Sequence, residues 1–188
     1  MENTLPNVDT TWTLFLDRDG VINHEKKEDY ILNWNEFVFY DGVKEAMKIF
    51  SNLFGTIVMV TNQRGIGKGL MTENDLQNIH LNMVKEIKNE GGRVDKIYYC
   101  TDLDNTSIYR KPNAGMAFQA KKELIDIDFS KAIMVGNKLS DMGFGRNAAM
   151  QTVFLATTNP ETAYPHASID FRFNSLLEFA KNIEQKKH

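Results

Sequence analysis

Short apolar runs alternate with amphipathic stretches along nearly all of this 188-residue chain, and that alternation limits the fold more than any other feature. Runs at 12–16, 56–60, 94–99, 132–135 and 152–155, with a last short one at 169–173, read as strands buried on both faces. Between them, 42–54, 72–90, 114–125, 139–149 and 175–185 carry helical patterns. The first puts Val43, Met47, Ile49, Phe50 and Leu53 toward one side. The second opens with Thr72-x-x-Asp75, a capping-box-like start, and carries a stripe of Leu76, Ile79, Met83 and Ile87. Strand alternating with helix predicts an α/β chain: a three-layer, Rossmann-like fold with a central, mainly parallel sheet. No internal repeat, low-complexity segment or Pro/Gly linker divides it. One domain over residues 1–188 is expected, with a flexible N-terminal segment over 1–11.

Composition removes several classes of function. Lys+Arg 22 against Asp+Glu 25 leaves a net charge of -3, which argues against a general nucleic-acid or anionic-membrane binder. Cys100 is the one cysteine, so neither an intrachain disulfide nor a Cys-rich zinc site can form. Residues 1–11 are polar without a signal-like apolar region, and no stretch approaches the ~20 apolar residues of a membrane span. A soluble, cytoplasmic monomer is expected.

In an open α/β sheet, ligands sit beyond the carboxyl ends of the strands. Polar residues follow the apolar strands there: Asp17-Arg18-Asp19-Gly20 after the first, Thr61-Asn62-Gln63 after the second, and Asn137-Lys138-Leu139-Ser140-Asp141 after the fourth. The loop after the third leads to Arg110-Lys111-Pro112. Any one of these could be a turn former or a cap. Four in chain order are harder to assign to turns. Carboxylates at i and i+2 can face one pocket if the chain turns sharply, and Gly20 permits that turn. Two close carboxylates repel unless a cation lies between them, which implies a hard divalent ion, most simply Mg²⁺. One carboxylate is then available as nucleophile and the other as acid and base. Thr61 offers a hydroxyl, Lys111 a point charge and Arg110 a bidentate fork for phosphate. Together these describe phosphoryl transfer through an aspartyl-phosphate.

Asp17-x-Asp19-Gly20, Thr61, Lys111 and Gly136-x-x-x-x-Asp141 resemble the four motifs of the haloacid dehalogenase superfamily of phosphohydrolases. Leu16 to Asn23, Val60-Thr61-Asn62-Gln63 with Gly65-Ile66, and Arg110-Lys111-Pro112 with Gly115-Met116 are similar to its sugar-bisphosphate and histidinol-phosphate phosphatases. The resemblance spans 12–179 and implies a minimal cap and a small phosphorylated sugar as substrate. It implies that Asp17 attacks phosphorus and holds Mg²⁺. It implies that Asp19 is the acid and base and also holds Mg²⁺ through its carbonyl. Thr61 and Lys111 would hold the phosphoryl group, Asn62, Gln63, Arg64 and Lys138 would face the substrate, and Arg110 would help hold phosphate. Positions 137 and 141 would complete the metal site.

The chain departs from that family at three places. Asn137 stands where the family has an aspartate, which removes a negative charge from beside the ion and lowers its affinity. A metal-hungry enzyme, a non-catalytic phosphosugar binder and a substitution that captures a bound state all fit that change. The loop 100–110 keeps only Cys100 of the family's zinc ligands, with Asp102, Ser107 and Tyr109 in the other places, so no zinc is expected. Arg64 replaces a small residue and adds positive charge. Outside these motifs, His24 reads as an exposed loop residue and His80 as a packed or surface one.

Overall fold

The computed structural model describes residues 4–186, so the first three residues of the expected flexible segment lie outside the described ones. Further along that segment Val8 is buried in the core with Leu5 packed against it, which anchors this stretch.

Six strands form one sheet in the order β3-β2-β1-β4-β5-β6. They are β1 (Thr13–Leu16), β2 (Thr56–Asn62), β3 (Lys96–Cys100), β4 (Ala132–Gly136), β5 (Gln151–Leu155) and β6 (Phe171–Phe173). All five pairings are parallel, as expected where helices cross over between strands. The helices are α1 (Val43–Leu53), α2 (Arg64–Gly67), α3 (Glu73–Asn89), α4 (Gly115–Glu123), α5 (Leu139–Asn147) and α6 (Leu176–Gln185). None of the described helices is long and apolar enough to cross a membrane.

The side-chain alternation of each strand feeds two cores. Leu14, Leu16, Ile57, Met59, Ile133 and Val135 pack with the buried faces of α1, α3 and α6. Phe15, Val58, Val60 and Met134 pack on the other side with Met116, Ala117 and Ala120 of α4 and Phe144 of α5. The three layers follow from that division. Thr72 caps α3 with both halves of the capping box in place.

The sequence boundaries shift in places. Trp12 lies outside β1, and β3 starts at Lys96 rather than at residue 94. β2 runs on through Thr61 and Asn62, so these two residues belong to the strand and not to the loop after it. The single-turn helix α2 was not expected. It begins at Arg64, and the chain leaves a strand directly into it. After β3 at one edge, the chain returns through α4 to place β4 on the far side of β1. The junction of β1 with β4 is therefore where strand order reverses, the position at which such sheets bind ligands.

Candidate active site

Asp17 is the first residue past β1, and its N–H still bonds the Val135 carbonyl at 3.0 Å. The chain then folds over itself. Gly20 takes φ +86°, and the N–H groups of Val21, Ile22 and Asn23 all donate to the Arg18 carbonyl. A Cβ at Gly20 would lie 2.0 Å from the Asn137 amide, so this glycine serves both the turn and the close approach of the fourth motif.

Lys111 reaches the same point from the loop after β3. It is only 4% exposed. Its Nζ lies 2.8 Å from Asp17 Oδ1 and 2.7 Å from Asp141 Oδ1, and donates to the Val60 carbonyl at 2.9 Å. Burial alone would lower the ammonium's pKa, but Asp141 and Asp17 outweigh it and raise it. Burial pushes the Asp17 carboxylate above its ordinary value; Lys111 opposes that and Asp141 adds to it. The carboxylates raise the lysine and burial raises Asp17: two carboxylates share one ammonium in a dry pocket, and the trio lacks one positive charge.

Asp19 is held differently. Arg18 Nη2 donates to both of its oxygens at 2.8 Å, Asn23 Nδ2 to Oδ1 at 2.9 Å, and Gln63 Nε2 to Oδ2 at 3.0 Å. Burial works to raise this carboxyl, yet the Arg18 charge and these bonds hold it below the usual range. Arg18 is itself fully buried, and its Nη1 lies 3.3 Å from His80 Nε2. A guanidinium only donates, so that imidazole nitrogen accepts and the ring is neutral.

Burial, and then the Arg18 charge, lower the His80 pKa from 6.5 to about 3. The unfolded chain therefore binds a proton below 6.5 that the folded chain refuses until about 3, and stability falls as the pH drops through that window. At ~1.4 kcal/mol per unit, the loss between pH 6.5 and 4.5 is about 2–3 kcal/mol. His80→Gln keeps an acceptor for Arg18 and should flatten that part of the profile. Urea melts of both proteins at the two pH values check it, and parallel profiles would reject the assignment.

A cavity of about 280 Å³ opens over these groups, lined by Asp17, Asp19, Glu25, Thr61, Asn62, Gln63 and Asp141 together with the cations Lys26, Arg64, Arg110, Lys111 and Lys138. Of the residues expected to act, the structure brings all but Asn137 to this one cavity. Asn137 is fully buried beneath it. Its Nδ2 donates to Thr158 Oγ1 at 2.6 Å and to Glu25 Oε1 at 3.3 Å, while its Oδ1 has no partner. Asp141 has both oxygens engaged: Oδ2 accepts the N–H groups of Asn137 and Lys138, and Oδ1 pairs with Lys111.

Two residues expected to face substrate are largely scaffold. Asn62 Nδ2 donates to the Lys111 carbonyl, and Asn62 Oδ1 accepts the Lys111 N–H, so this amide pins the lysine's backbone. Gln63 ties Asp19 to the Thr61 hydroxyl, which it meets at 2.8 Å. Arg64 donates to the Leu103 carbonyl and Arg110 to Asn105 Oδ1, which leaves both at the rim. The loop 101–109 is ordered by its own polar side chains: Ser107 donates to Asp102, and Thr106 bonds Asp104. Burial raises the Cys100 thiol, so it is not an activated nucleophile. Sequence reading missed Arg18, Asn23 and Glu25; Glu25 pairs with Lys138 at 2.6 Å. The available signal for Arg18 was its place between two pocket-facing residues, which turns it away from the pocket.

The hard oxygens here are the Asp17 carboxylate at the cavity and the unpartnered Oδ1 of the buried Asn137, which stands against the Gly20 turn. With the missing positive charge of the trio, they fit Mg²⁺, which takes a few protein oxygens and keeps waters. Among the described residues no group of three or more His, Cys, Asp or Glu forms a protein-only metal cage.

A family model described as polynucleotide kinase 3 phosphatase matches residues 8–186. The chain is 41% identical over 178 residues to the D-glycero-alpha-D-manno-heptose-1,7-bisphosphate 7-phosphatase of Campylobacter jejuni, covering 94% of this chain and 98% of that one. It is 34% identical over 182 residues to the D-glycero-beta-D-manno-heptose-1,7-bisphosphate 7-phosphatase of Yersinia pestis, covering 92% and 95%. Its structure is similar to the D,D-heptose 1,7-bisphosphate phosphatase of B. bronchiseptica complexed with magnesium and phosphate, with a TM-score of 0.85, 25% identity, and coverage of 93% of this chain and 99% of that one.

Proposed function

Because the chain belongs to the polynucleotide kinase 3 phosphatase family, we propose that it is a Mg²⁺-dependent phosphatase that removes the 7-phosphate of D-glycero-D-manno-heptose 1,7-bisphosphate. The observation that carries this reading is the Asp17–Lys111–Asp141 trio beneath a cavity rimmed by Arg64, Arg110 and Lys138. Such a site offers a carboxylate to phosphorus and cations to the rest of a bisphosphate. Relatives named for this substrate, in both anomeric forms, support it.

Asp17 Oδ attacks phosphorus, the bond from phosphorus to the sugar oxygen breaks, and the electron pair leaves with that oxygen. Asp19, ionised at rest beside Arg18, takes up a proton from solvent as the phosphate dianion arrives next to it and gives that proton to the departing oxygen. Asp19, now ionised, takes a proton from water, whose oxygen attacks the aspartyl-phosphate and releases phosphate with Asp17 restored. Thr61 and Lys111 steady the phosphoryl oxygens throughout. The Asp17 carboxylate, the Asp19 carbonyl and Asn137 Oδ1 would hold Mg²⁺, which would supply the charge that keeps Asp17 ionised next to a phosphate dianion. No zinc enters this reading, because the loop offers one thiol.

A substrate panel tests it: both anomers of the heptose bisphosphate, histidinol phosphate, and an oligonucleotide with a 3′-phosphate, the last because of the family's name. The heptose should have the highest kcat/KM. Preference for histidinol phosphate or the oligonucleotide would replace the substrate while keeping the chemistry. No turnover of any member at high Mg²⁺ would favour a phosphosugar-binding protein.

Asn137→Asp addresses the metal. A carboxylate in place of the amide should tighten Mg²⁺ by at least about tenfold, or ~1.4 kcal/mol. Without metal it would stand against Glu25, whose Oε1 is 3.3 Å from the present Nδ2, and the apo protein should melt earlier. Calorimetric Mg²⁺ titration reads the first effect and thermal melts the second. Unchanged Mg²⁺ affinity would remove position 137 from the metal site.

A further inference from the structure

The Arg18–His80 pair is a buried hydrogen-bonded pair near the cavity that the mechanism above does not use. We propose that Arg18, braced by His80, is a positioning residue that fixes the Asp19 carboxyl group for proton transfer and makes no contact with phosphate. This rests on the reading of Asp19 as acid and base.

An arginine beside two catalytic carboxylates would ordinarily be assigned to phosphate. The geometry here is opposed to that. Asp17 and Asp19 stand two residues apart at the end of a strand and face the cavity, so the residue between them faces the other way. Arg18 is 0% exposed and is not among the cavity's lining residues. Each of its three nitrogens is engaged away from the cavity's other groups: Nε with Asp19 Oδ1 at 3.2 Å, Nη2 with both Asp19 oxygens, and Nη1 with His80. A buried guanidinium is costly unless its bonds are met, and this one is met by a carboxylate and an imidazole from α3. The planar fork fixes the plane of the carboxyl group, which a lysine at the same place cannot do. Asn23 and Gln63 bond the same carboxylate from other sides. Three donor side chains therefore leave Asp19 one narrow direction of approach, toward the cavity.

His80 sets where Arg18 stands. It is 8% exposed, and its ring packs 6.2 Å from that of Tyr99 on β3. The position of the acid thus depends on a helix that contributes nothing else to the site. Loss of the fork should be felt where a proton must be delivered at the right angle, and little where the leaving group departs unaided.

That difference separates positioning from mere support of the fold. The full-length protein with saturating Mg²⁺ is assayed on an alkyl phosphate, whose leaving oxygen needs a proton, and on p-nitrophenyl phosphate, whose leaving group does not. kcat/KM is compared, because it reports only the steps through phosphoryl transfer. Arg18→Lys should lower kcat/KM for the alkyl ester at least about tenfold and for the aryl ester less than about threefold. His80→Leu should give the same selective loss, and His80→Gln, which restores an acceptor for Nη1, should recover most of it. Equal losses on both esters, or none, would overturn the proposal. Should Arg18→Lys fail to fold, the His80 pair decides: no selective loss in His80→Leu, or no recovery in His80→Gln, overturns it. Asp19→Asn is the control for the underlying reading. If it shows the selective loss and the Arg18 and His80 variants do not, only the positioning role fails. If it shows none, Asp19 is not the acid.

Discussion

Asp17→Asn should abolish turnover while leaving the fold in place. The substitution is isosteric, and Asp17 belongs to a loop end and to neither core cluster. Lys111 keeps Asp141 at 2.7 Å and the Val60 carbonyl at 2.9 Å, so its ammonium is not orphaned. Burial disfavours the ionised Asp17 carboxylate in the resting protein, and an amide removes that cost. Melting temperature should therefore hold or rise slightly. The chemistry cannot hold: an amide oxygen is a far poorer nucleophile and forms no acyl phosphate, so a fall of at least roughly a hundredfold is expected. Retention of more than about a hundredth of the parent rate would remove Asp17 as the nucleophile. The stabilisation that Mg²⁺ gives the parent should shrink too, which thermal melts with and without the ion will show.

Lys111→Met should be the most damaging single change, because it acts on stability as well as rate. Methionine matches the stem of the lysine but leaves Asp17 and Asp141 facing each other without the shared cation. Breaking a buried pair by removing one partner costs about 3–5 kcal/mol. The sign with pH follows from the carboxylates. Burial already raises Asp17 in the parent and Lys111 opposes that, so without Lys111 the Asp17 value rises further, the folded variant holds that proton more tightly, and it loses more stability than the parent as the pH rises. Its deficit against the parent should be larger at pH 8 than at pH 5. Mg²⁺ offers another cation, so the ion should stabilise the variant more than it stabilises the parent. Denaturant melts at both pH values, with and without Mg²⁺, test each part. A deficit independent of pH and of Mg²⁺ would mean that Lys111 acts by packing rather than by charge.

The sheet was legible because parallel strands are buried on both faces and therefore read as plain apolar runs. Ile57 to Val60 and Ala132 to Val135 are examples, fully buried in the structure. The pairing of Asp17 and Asp19 at one cavity was legible because a strand end at the switch point is where polar residues after apolar runs must lie. The second layer was not. A charged side chain reads as solvent-facing by default. Arg18 escapes that rule through its neighbour Asp19 and through His80, 62 residues away. Asn62 looked like a substrate contact from its place after an apolar run, yet its partner is the backbone of Lys111, 49 residues on. Long-range pairings of this kind leave no periodic trace. The short helix α2 was hidden for another reason. Its four residues, Arg-Gly-Ile-Gly, have poor intrinsic helix propensity, and packing decides.

The contact between α2 and the loop after β3 carries a consequence for how such a protein changes its taste in substrates. A Cβ at Gly67 would lie 2.2 Å from the Thr101 carbonyl, and Arg64 holds the Leu103 carbonyl at 2.9 Å. These two surface segments are fastened to each other, with Arg110 tied to the same loop through Asn105. Residues 102–106 are exposed and belong to neither core. Substitutions there can move both rim arginines together without disturbing Asp17, Asp19 or Lys111. Selection can thus redraw the mouth of the site as one panel, at little thermodynamic risk, while the chemistry beneath it stays fixed.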